Sequence, residues 1–219
     1  MKITDNVYFF PETGMMDSNT TVIKDETTVL IDPGLDRYLP GLLQALEADG
    51  IDPKEIDVII NTHLHLDHYW SCDELKKITG AKILLHPLQK EHYELTVVGV
   101  SKVFGMSPIH IKEDELMDEK LSTGRLEFEI INAPGHSPDS LCYYNKDQEV
   151  VICGDVVFAG NTGRTDFPGG GGDQLKQSIE GLAELEIEHL LPGHMGMVSG
   201  KENVKHNFEF LRKNVFPWL

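Results

Sequence analysis

Thr62-His63-Leu64-His65-Leu66-Asp67-His68 carries three imidazoles and a carboxylate between leucine spacers. A solvated loop would explain the polarity but not this alternation. In extended backbone His63, His65 and Asp67 point to one side and His68 to the other; in a helix His63 and Asp67 share one face, with His65 and His68 on another. In either geometry four ligand-type side chains leave in two directions, which suits a loop serving two neighbouring cations. Leu64 and Leu66 can anchor that loop on the core. The segment follows Ile56 to Ile60, an apolar run that reads as a buried strand.

Three further polar groups stand at the same kind of junction. His136 follows Ala133-Pro134-Gly135, Asp155 follows Cys153-Gly154, and His194 follows Leu191-Pro192-Gly193. A glycine immediately before each lets the backbone turn and aim the side chain off a strand end. Imidazole with carboxylate suits zinc, iron or manganese, and the lack of a thiolate pair argues against a closed structural zinc site. His86, His92, His110, His189 and His206 lack this context and read as ordinary surface or core histidines.

The two halves of the chain echo each other. A hairpin ends in Val29-Leu30-Ile31-Asp32 and another in Val151-Ile152-Cys153-Gly154-Asp155. Each is followed by a helical pattern and then by an apolar strand ending in His, at His63 and at His194. The Asp-to-His intervals are 31 and 39 residues. Two such lobes can bury their sheets face to face, with the polar strand ends meeting along one rim. A single α/β domain over residues 1–219 is therefore expected, its pseudo-duplicated halves being roughly 1–125 and 126–219.

Elsewhere, short strands are predicted at Val7 to Phe10, Thr20 to Ile23 and Thr28 to Ile31. A helix follows from Leu39 to a stop at Gly50. Ser71-x-x-Glu74 and Ser199-x-x-Glu202 read as capping boxes opening two helices. Lys82 to His86, Leu126 to Ile130, Leu141 to Tyr144, Val150 to Cys153 and Ile187 to Leu191 read as strands, and Leu175 to Leu185 as a helix face. Gln89 to Leu121 shows no clear period. Its charged part, Lys112 to Lys120, is expected as a surface helix or loop.

The 219 residues carry 19 Lys and Arg against 36 Asp and Glu, a formal charge of −17 that would repel a phosphate backbone. Nucleic acid is not expected as a partner. No apolar run approaches the ~18 residues of a membrane span, and Asp5 and Asn6 interrupt the start before a signal-like stretch can form. Cys72, Cys142 and Cys153 are widely spaced and form no C-x-x-C pair, which fits a reducing, cytoplasmic setting.

His63-x-His65-x-Asp67-His68, Pro134-Gly135-His136, Gly154-Asp155 and Pro192-Gly193-His194, with Ile31-Asp32-Pro33-Gly34 before them, resemble the ordered motifs of the metallo-β-lactamase fold superfamily. The likeness covers nearly the whole chain. It implies a four-layered αβ/βα sandwich, two mixed sheets flanked by helices. By that resemblance His63, His65, His136 and Asp155 would hold one ion and Asp67, His68, Asp155 and His194 a second, with Asp155 bridging. Asp32 would orient the ligands from behind, or serve only as a turn-capping aspartate.

Gly163-Arg164-Thr165-Asp166-Phe167-Pro168-Gly169-Gly170 resembles a segment of short glyoxalase II-like hydrolases and, in variant form, of persulfide dioxygenases. Arg164 would then place the substrate, or fix the loop through Asp166. The resemblance implies a metal-dependent thioesterase in which a hydroxide held by two divalent transition-metal ions, zinc first and iron or manganese next, attacks the acyl carbon. Asp67 would accept a proton and Asp155 would hold both ions. A small-molecule thioester is the expected partner and a homodimer is possible. Full-length glyoxalase II enzymes carry a helical C-terminal domain with basic residues for glutathione, whereas only one helix follows His194. The alternatives on the same scaffold are a mononuclear iron persulfide dioxygenase, using His63, His136 and Asp155, and a lactonase.

Overall fold

The computed structural model describes residues 1–219. Strands β1 (Val7–Phe10), β2 (Thr20–Lys24), β3 (Thr28–Ile31), β4 (Val58–Ile60), β5 (Lys82–Leu85) and β6 (Glu115–Leu116) form one sheet in that order. β7 (Lys120–Ser122), β8 (Glu127–Asn132), β9 (Leu141–Asn145), β10 (Val150–Gly154), β11 (His189–Pro192) and β12 (Val198–Ser199) form the other. Both sheets are mixed: β1 to β3 pair antiparallel before β4 and β5 add in parallel, and β7 to β10 pair antiparallel before β11 adds in parallel. The second sheet begins at Lys120, a few residues before the division expected near 125.

Period-two alternation explains the layering. On β3, Val29 and Ile31 face the opposite sheet while Leu30 faces helices; on β10, Val150 and Ile152 face the opposite sheet while Val151 and Cys153 face helices. Strands buried on both faces read as continuous apolar runs rather than alternating ones. The outer layers are α1 (Leu39–Ala48) and α3 (Cys72–Thr79) on one side, and α6 (Gly172–Ala183) and α7 (Lys201–Asn214) on the other. Leu39, Leu42 and Leu46 of α1 and Leu75 of α3 pack on the first sheet; Leu175, Ile179 and Leu182 of α6 and Val204, Phe208 and Leu211 of α7 pack on the second. Truncating one of these leucines to Ala would cost about 2–5 kcal/mol. The result is the four-layered αβ/βα sandwich.

Both expected capping boxes are absent. Ser71 stands at the N-cap of α3, but its Oγ donates to the carbonyls of Pro33 and Gly34, at 2.9 and 3.0 Å, tying the helix to the turn after β3. Gly200, not Ser199, is the N-cap of α7, and Ser199 Oγ pairs with His189 Nδ1 at 3.0 Å. In each case a tertiary partner competes for the hydroxyl that the local pattern assigns to the helix. The charged stretch from Lys112 is mostly loop, one of the two forms expected, with β6 inside it and β7 starting at Lys120. After α4 (Pro87–Glu91), the apolar residues before that stretch form a π-helix, Glu94–Gly99, continuing into α5 (Val100–Val103) and covering one side of the rim where the polar strand ends meet.

Candidate metal centre

Asp32 follows β3, His63 follows β4, His136 follows β8, Asp155 follows β10 and His194 follows β11, so one rim receives groups from both sheets. The histidine segment combines the two expected geometries. After a bend at His63 the backbone is extended at His65, then α2 (Leu66–Tyr69) begins and carries Asp67 and His68. His63, His65 and His136 converge, as do His63, His68 and Asp155, and Asp67, His68 and His194. His86, His92, His110, His189 and His206 lie outside these groups.

His136 Nε2 lies 2.8 Å from His65 Nδ1, 3.2 Å from His63 Nε2 and 3.4 Å from Asp155 Oδ2. On the other side, His68 Nε2 is 3.3 Å from Asp155 Oδ1, while His194 Nε2 is 3.3 Å from Asp67 Oδ2 and 3.5 Å from Asp155 Oδ2. Two nitrogens on one tetrahedral ion, each ~2.0–2.1 Å from it, sit about 3.3 Å apart. His68 Nε2 and Asp155 Oδ1 are buried and have no hydrogen-bond partner although they face each other. Leaving such groups unpaired costs about 1–3 kcal/mol each, or more when charged, and a shared cation removes that cost. The donor set fits a metal.

The outward-facing ring atoms are held in turn. His68 Nδ1 donates to Asp32 Oδ2 at 2.9 Å, His136 Nδ1 donates to the Arg164 carbonyl at 2.7 Å, and His194 Nδ1 donates to Glu12 Oε2 at 2.9 Å. Such contacts fix ring orientation and tautomer. Asp32 also accepts from Thr62 N at 2.8 Å and Thr62 Oγ1 at 2.7 Å, and it has a left-handed φ of 58°, costly for a residue with a Cβ. With Asn61 Nδ2 also donating to it at 3.3 Å, four atoms around the histidine segment depend on its carboxylate, more than a turn cap requires.

Burial sets the electrostatics. It holds His63 well below the usual histidine range, helped by neighbouring His68 and His65, brings His65 down to about 3, and lowers His136. Burial also opposes charge on His68, but Asp32 and Asp155 outweigh it and raise that ring well above its usual value. His194 is lifted to about 9, burial being overcome by Asp155 and Asp67. Asp155 stays ionised well below the carboxylate range: burial is outweighed by His68, His194 and His136. One side therefore presents neutral imidazoles, the other ionised carboxylates beside protonated imidazoles whose protons a cation can displace.

Gly193 serves by lacking a side chain, since its φ is not left-handed: a Cβ there would collide with Asp155 Oδ1 and His68 Cε1. Gly154 does need its positive φ of 50°. Arg164 pairs with Asp166 through bonds of 2.8 and 2.6 Å and lies over the Phe167 ring at 4.3 Å, the loop-fixing geometry of the two expected for it. Glu12 and Asp139 are additions that the sequence reading missed. Asp139 is buried and accepts from Leu64 N at 3.0 Å and Ser137 Oγ at 2.7 Å, joining the histidine segment to the turn bearing His136. Burial pushes its carboxyl up to about 6. Glu12 lies just beyond β1, the strand-end position that marks the other site residues.

His65, Asp67, His136, Asp155 and His194 open onto a cleft of about 420 Å³ walled by Leu66, Val100, Phe104, Phe158, Phe167 and Met195. The three cysteines are buried elsewhere. With polar groups converging in an apolar hollow, the arrangement can bind a small organic molecule next to cations. No helix is long and apolar enough to cross a membrane.

Known proteins agree with this geometry. The chain is 33% identical over 178 residues to the Bacillus subtilis protein named "Probable metallo-hydrolase YqgX", covering 79% of this chain and 82% of that one. It is 29% identical over 179 residues to "Hydroxyacylglutathione hydrolase GloC" of Haemophilus influenzae, covering 80% and 82%. Among solved structures, the B3 metallo-beta-lactamase BLEG-1 superposes with a TM-score of 0.76 at 28% identity, over 92% of this chain and 97% of that one. The di-iron-bound form of TTHA1623 superposes with a TM-score of 0.72 at 26% identity, over 94% and 98%. The profile of the "Metallo-beta-lactamase superfamily" matches residues 13–194. Carrying a His/Asp metal site on the strand-end rim of a four-layered sandwich, the chain belongs to the metallo-beta-lactamase superfamily and is a metallo-hydrolase.

Proposed function

We propose that the protein hydrolyses small thioesters with the aid of two divalent transition-metal ions. One would be held by His63, His65, His136 and Asp155, the other by Asp67, His68, Asp155 and His194. The observation that carries the reading is the placement of the two Asp155 oxygens, Oδ1 toward His68 and Oδ2 toward His136 and His194. The likeness to GloC supports a thioester. Zinc suits the donor chemistry best, and the di-iron form of TTHA1623 supports iron as the next choice.

Such cations, when bound, acidify water and polarise a carbonyl. The chain's own groups do the rest. Phe104, Phe158 and Phe167 give the cleft apolar walls, which strengthen electrostatic contacts inside it. Asp67 lines the cleft beside His194, and its carboxylate is placed to accept a proton from attacking water. The water oxygen bonds to the acyl carbon, the carbon–sulfur bond breaks, and the thiolate leaves. No cysteine is placed as nucleophile: burial raises all three thiols above their usual range.

Metal analysis of the purified protein, combined with a panel of thioesters, lactones, persulfides and a β-lactam, tests the reading. The expected result is two ions per chain and fastest turnover on a thioester. One iron per chain with rapid oxygen uptake on a persulfide would replace it with the dioxygenase reading.

A further inference from the structure

Beside the metal cleft lies a second hollow of about 400 Å³, sharing Met16, Leu66 and Asp67 with it. We propose that this hollow is the subsite for an uncharged, apolar acyl chain of the substrate, a specificity that rests on the thioesterase reading above. Its remaining apolar lining is Leu35, Trp70 and Met106. Leu35 and Leu66 are buried and form a fixed floor, while the thioether side chains of Met16 and Met106 can adapt to a chain of variable length. Its volume falls in the range of small-molecule sites, ~300–1,000 Å³.

The wall is held in place rather than left loose. Met16 has a left-handed φ of 61°, which a side chain rarely adopts without support. Adjacent Asp17 supplies that support. It accepts from Thr13 N at 3.0 Å and from Leu35 N at 3.3 Å, linking the loop that bears Met16 to the floor of the hollow.

Charge selects the occupant. The two linings contain one Lys or Arg side chain each, Arg164 and Arg37. Arg164 is engaged by Asp166, and Arg37 by the Met15 carbonyl and the Tyr38 ring. Asp36 and Asp67 stand on the wall of the second hollow, against a whole-chain charge of −17. A carboxylate-bearing tripeptide thiol finds no free cation there. The leaving thiolate, which gains negative charge as the carbon–sulfur bond breaks, is disfavoured beside Asp36 on this wall. The acyl arm stays neutral away from the reacting carbon, so it takes the hollow.

Trp70 makes the subsite observable without turnover. The chain has two tryptophans, and Trp218 is exposed at the far terminus, so Trp218→Phe leaves Trp70 as the single tryptophan, excited selectively over tyrosine. S-(2-oxoalkyl) thioethers of N-acetylcysteamine, in which a methylene between carbonyl and sulfur blocks cleavage, are the probes. The 2-oxodecyl compound should shift Trp70 emission saturably and the 2-oxopropyl compound should not. In parallel, kcat/KM for S-acyl N-acetylcysteamines should rise roughly threefold per added methylene. Met106→Glu should cut the decanoyl-to-acetyl ratio at least tenfold.

An unmoved Trp70 emission with the 2-oxodecyl probe would overturn the subsite, as would a chain-length slope that Met106→Glu leaves intact. A slope that follows the alkyl length of the thiol instead of the acyl group would also overturn it. If Trp70 responds as expected but no thioester is cleaved, the thioesterase reading fails while the apolar subsite is supported.

Discussion

Glu12 and His194 are 182 positions apart in the chain, yet Glu12 Oε2 accepts a hydrogen bond from His194 Nδ1 at 2.9 Å. Its other oxygen accepts from Met195 N at 3.1 Å. The first loop of the first sheet thus orients a side chain delivered by the second. Replacing Glu12 with Gln should weaken the second ion about 10- to 100-fold, the usual effect of losing a carboxylate behind a histidine ligand. Competition with a chelating dye measures this, and an unchanged affinity would remove Glu12 from the site.

Asp155→Ala removes the one side chain whose two oxygens serve both groups of ligands. The expected outcome is loss of the second ion from metal analysis and turnover below detection, with near-native circular dichroism. A variant retaining two tightly bound ions would contradict the bridging assignment.

Stripping the metal should expose a two-sided pH dependence. His63, His65 and His136 are held neutral by burial, His65 down to about 3. The unfolded chain therefore binds more protons than the folded one once pH falls below ~6.5, and stability drops by roughly 1 kcal/mol per pH unit for each fully shifted ring. His194, raised to about 9, acts in the opposite sense. Its contribution is complete below ~6.5 and fades as pH climbs through about 9. Chemical denaturation of the stripped chain across pH 4 to 10 should therefore show a maximum near neutrality. Adding zinc should abolish the alkaline decline, because the ion takes the place of the displaced proton.

Gly193→Ala and Gly196→Ala form a matched pair. A Cβ at Gly193 strikes Asp155 and His68, whereas one at Gly196 meets nothing within 4 Å. The first substitution should cost roughly 1–3 kcal/mol and impair metal binding; the second should alter neither. Thermal unfolding with metal titration distinguishes them, and equal effects would refute the steric account.

Much of this architecture was legible in the chain because burial imposes periodicity. Val29 to Ile31 and Val150 to Cys153 sit between two layers, so both their faces are apolar and the strands announce themselves. The seven ligand-type residues were legible for a related reason: His63, His136, Asp155 and His194 follow apolar strand ends, and His65, Asp67 and His68 alternate with leucines just beyond β4. Ser71 and Ser199 misled because their partners, the Pro33 and Gly34 carbonyls and His189, are remote in sequence. Glu12 and Asp139 were hidden for the same reason. A lone carboxylate carries no local sign that it will meet His194 or the Leu64 amide.

The division of donors between the lobes has a mechanical consequence. His63, His65, Asp67 and His68 come from the first sheet's side, and His136, Asp155 and His194 from the second. Any ion they share rivets the two lobes together, and prying them apart means surrendering it. At a free metal level 1,000 times the dissociation constant, that rivet would add about 4 kcal/mol against separation. In such a molecule, catalytic readiness and resistance to unfolding rise and fall together with metal supply.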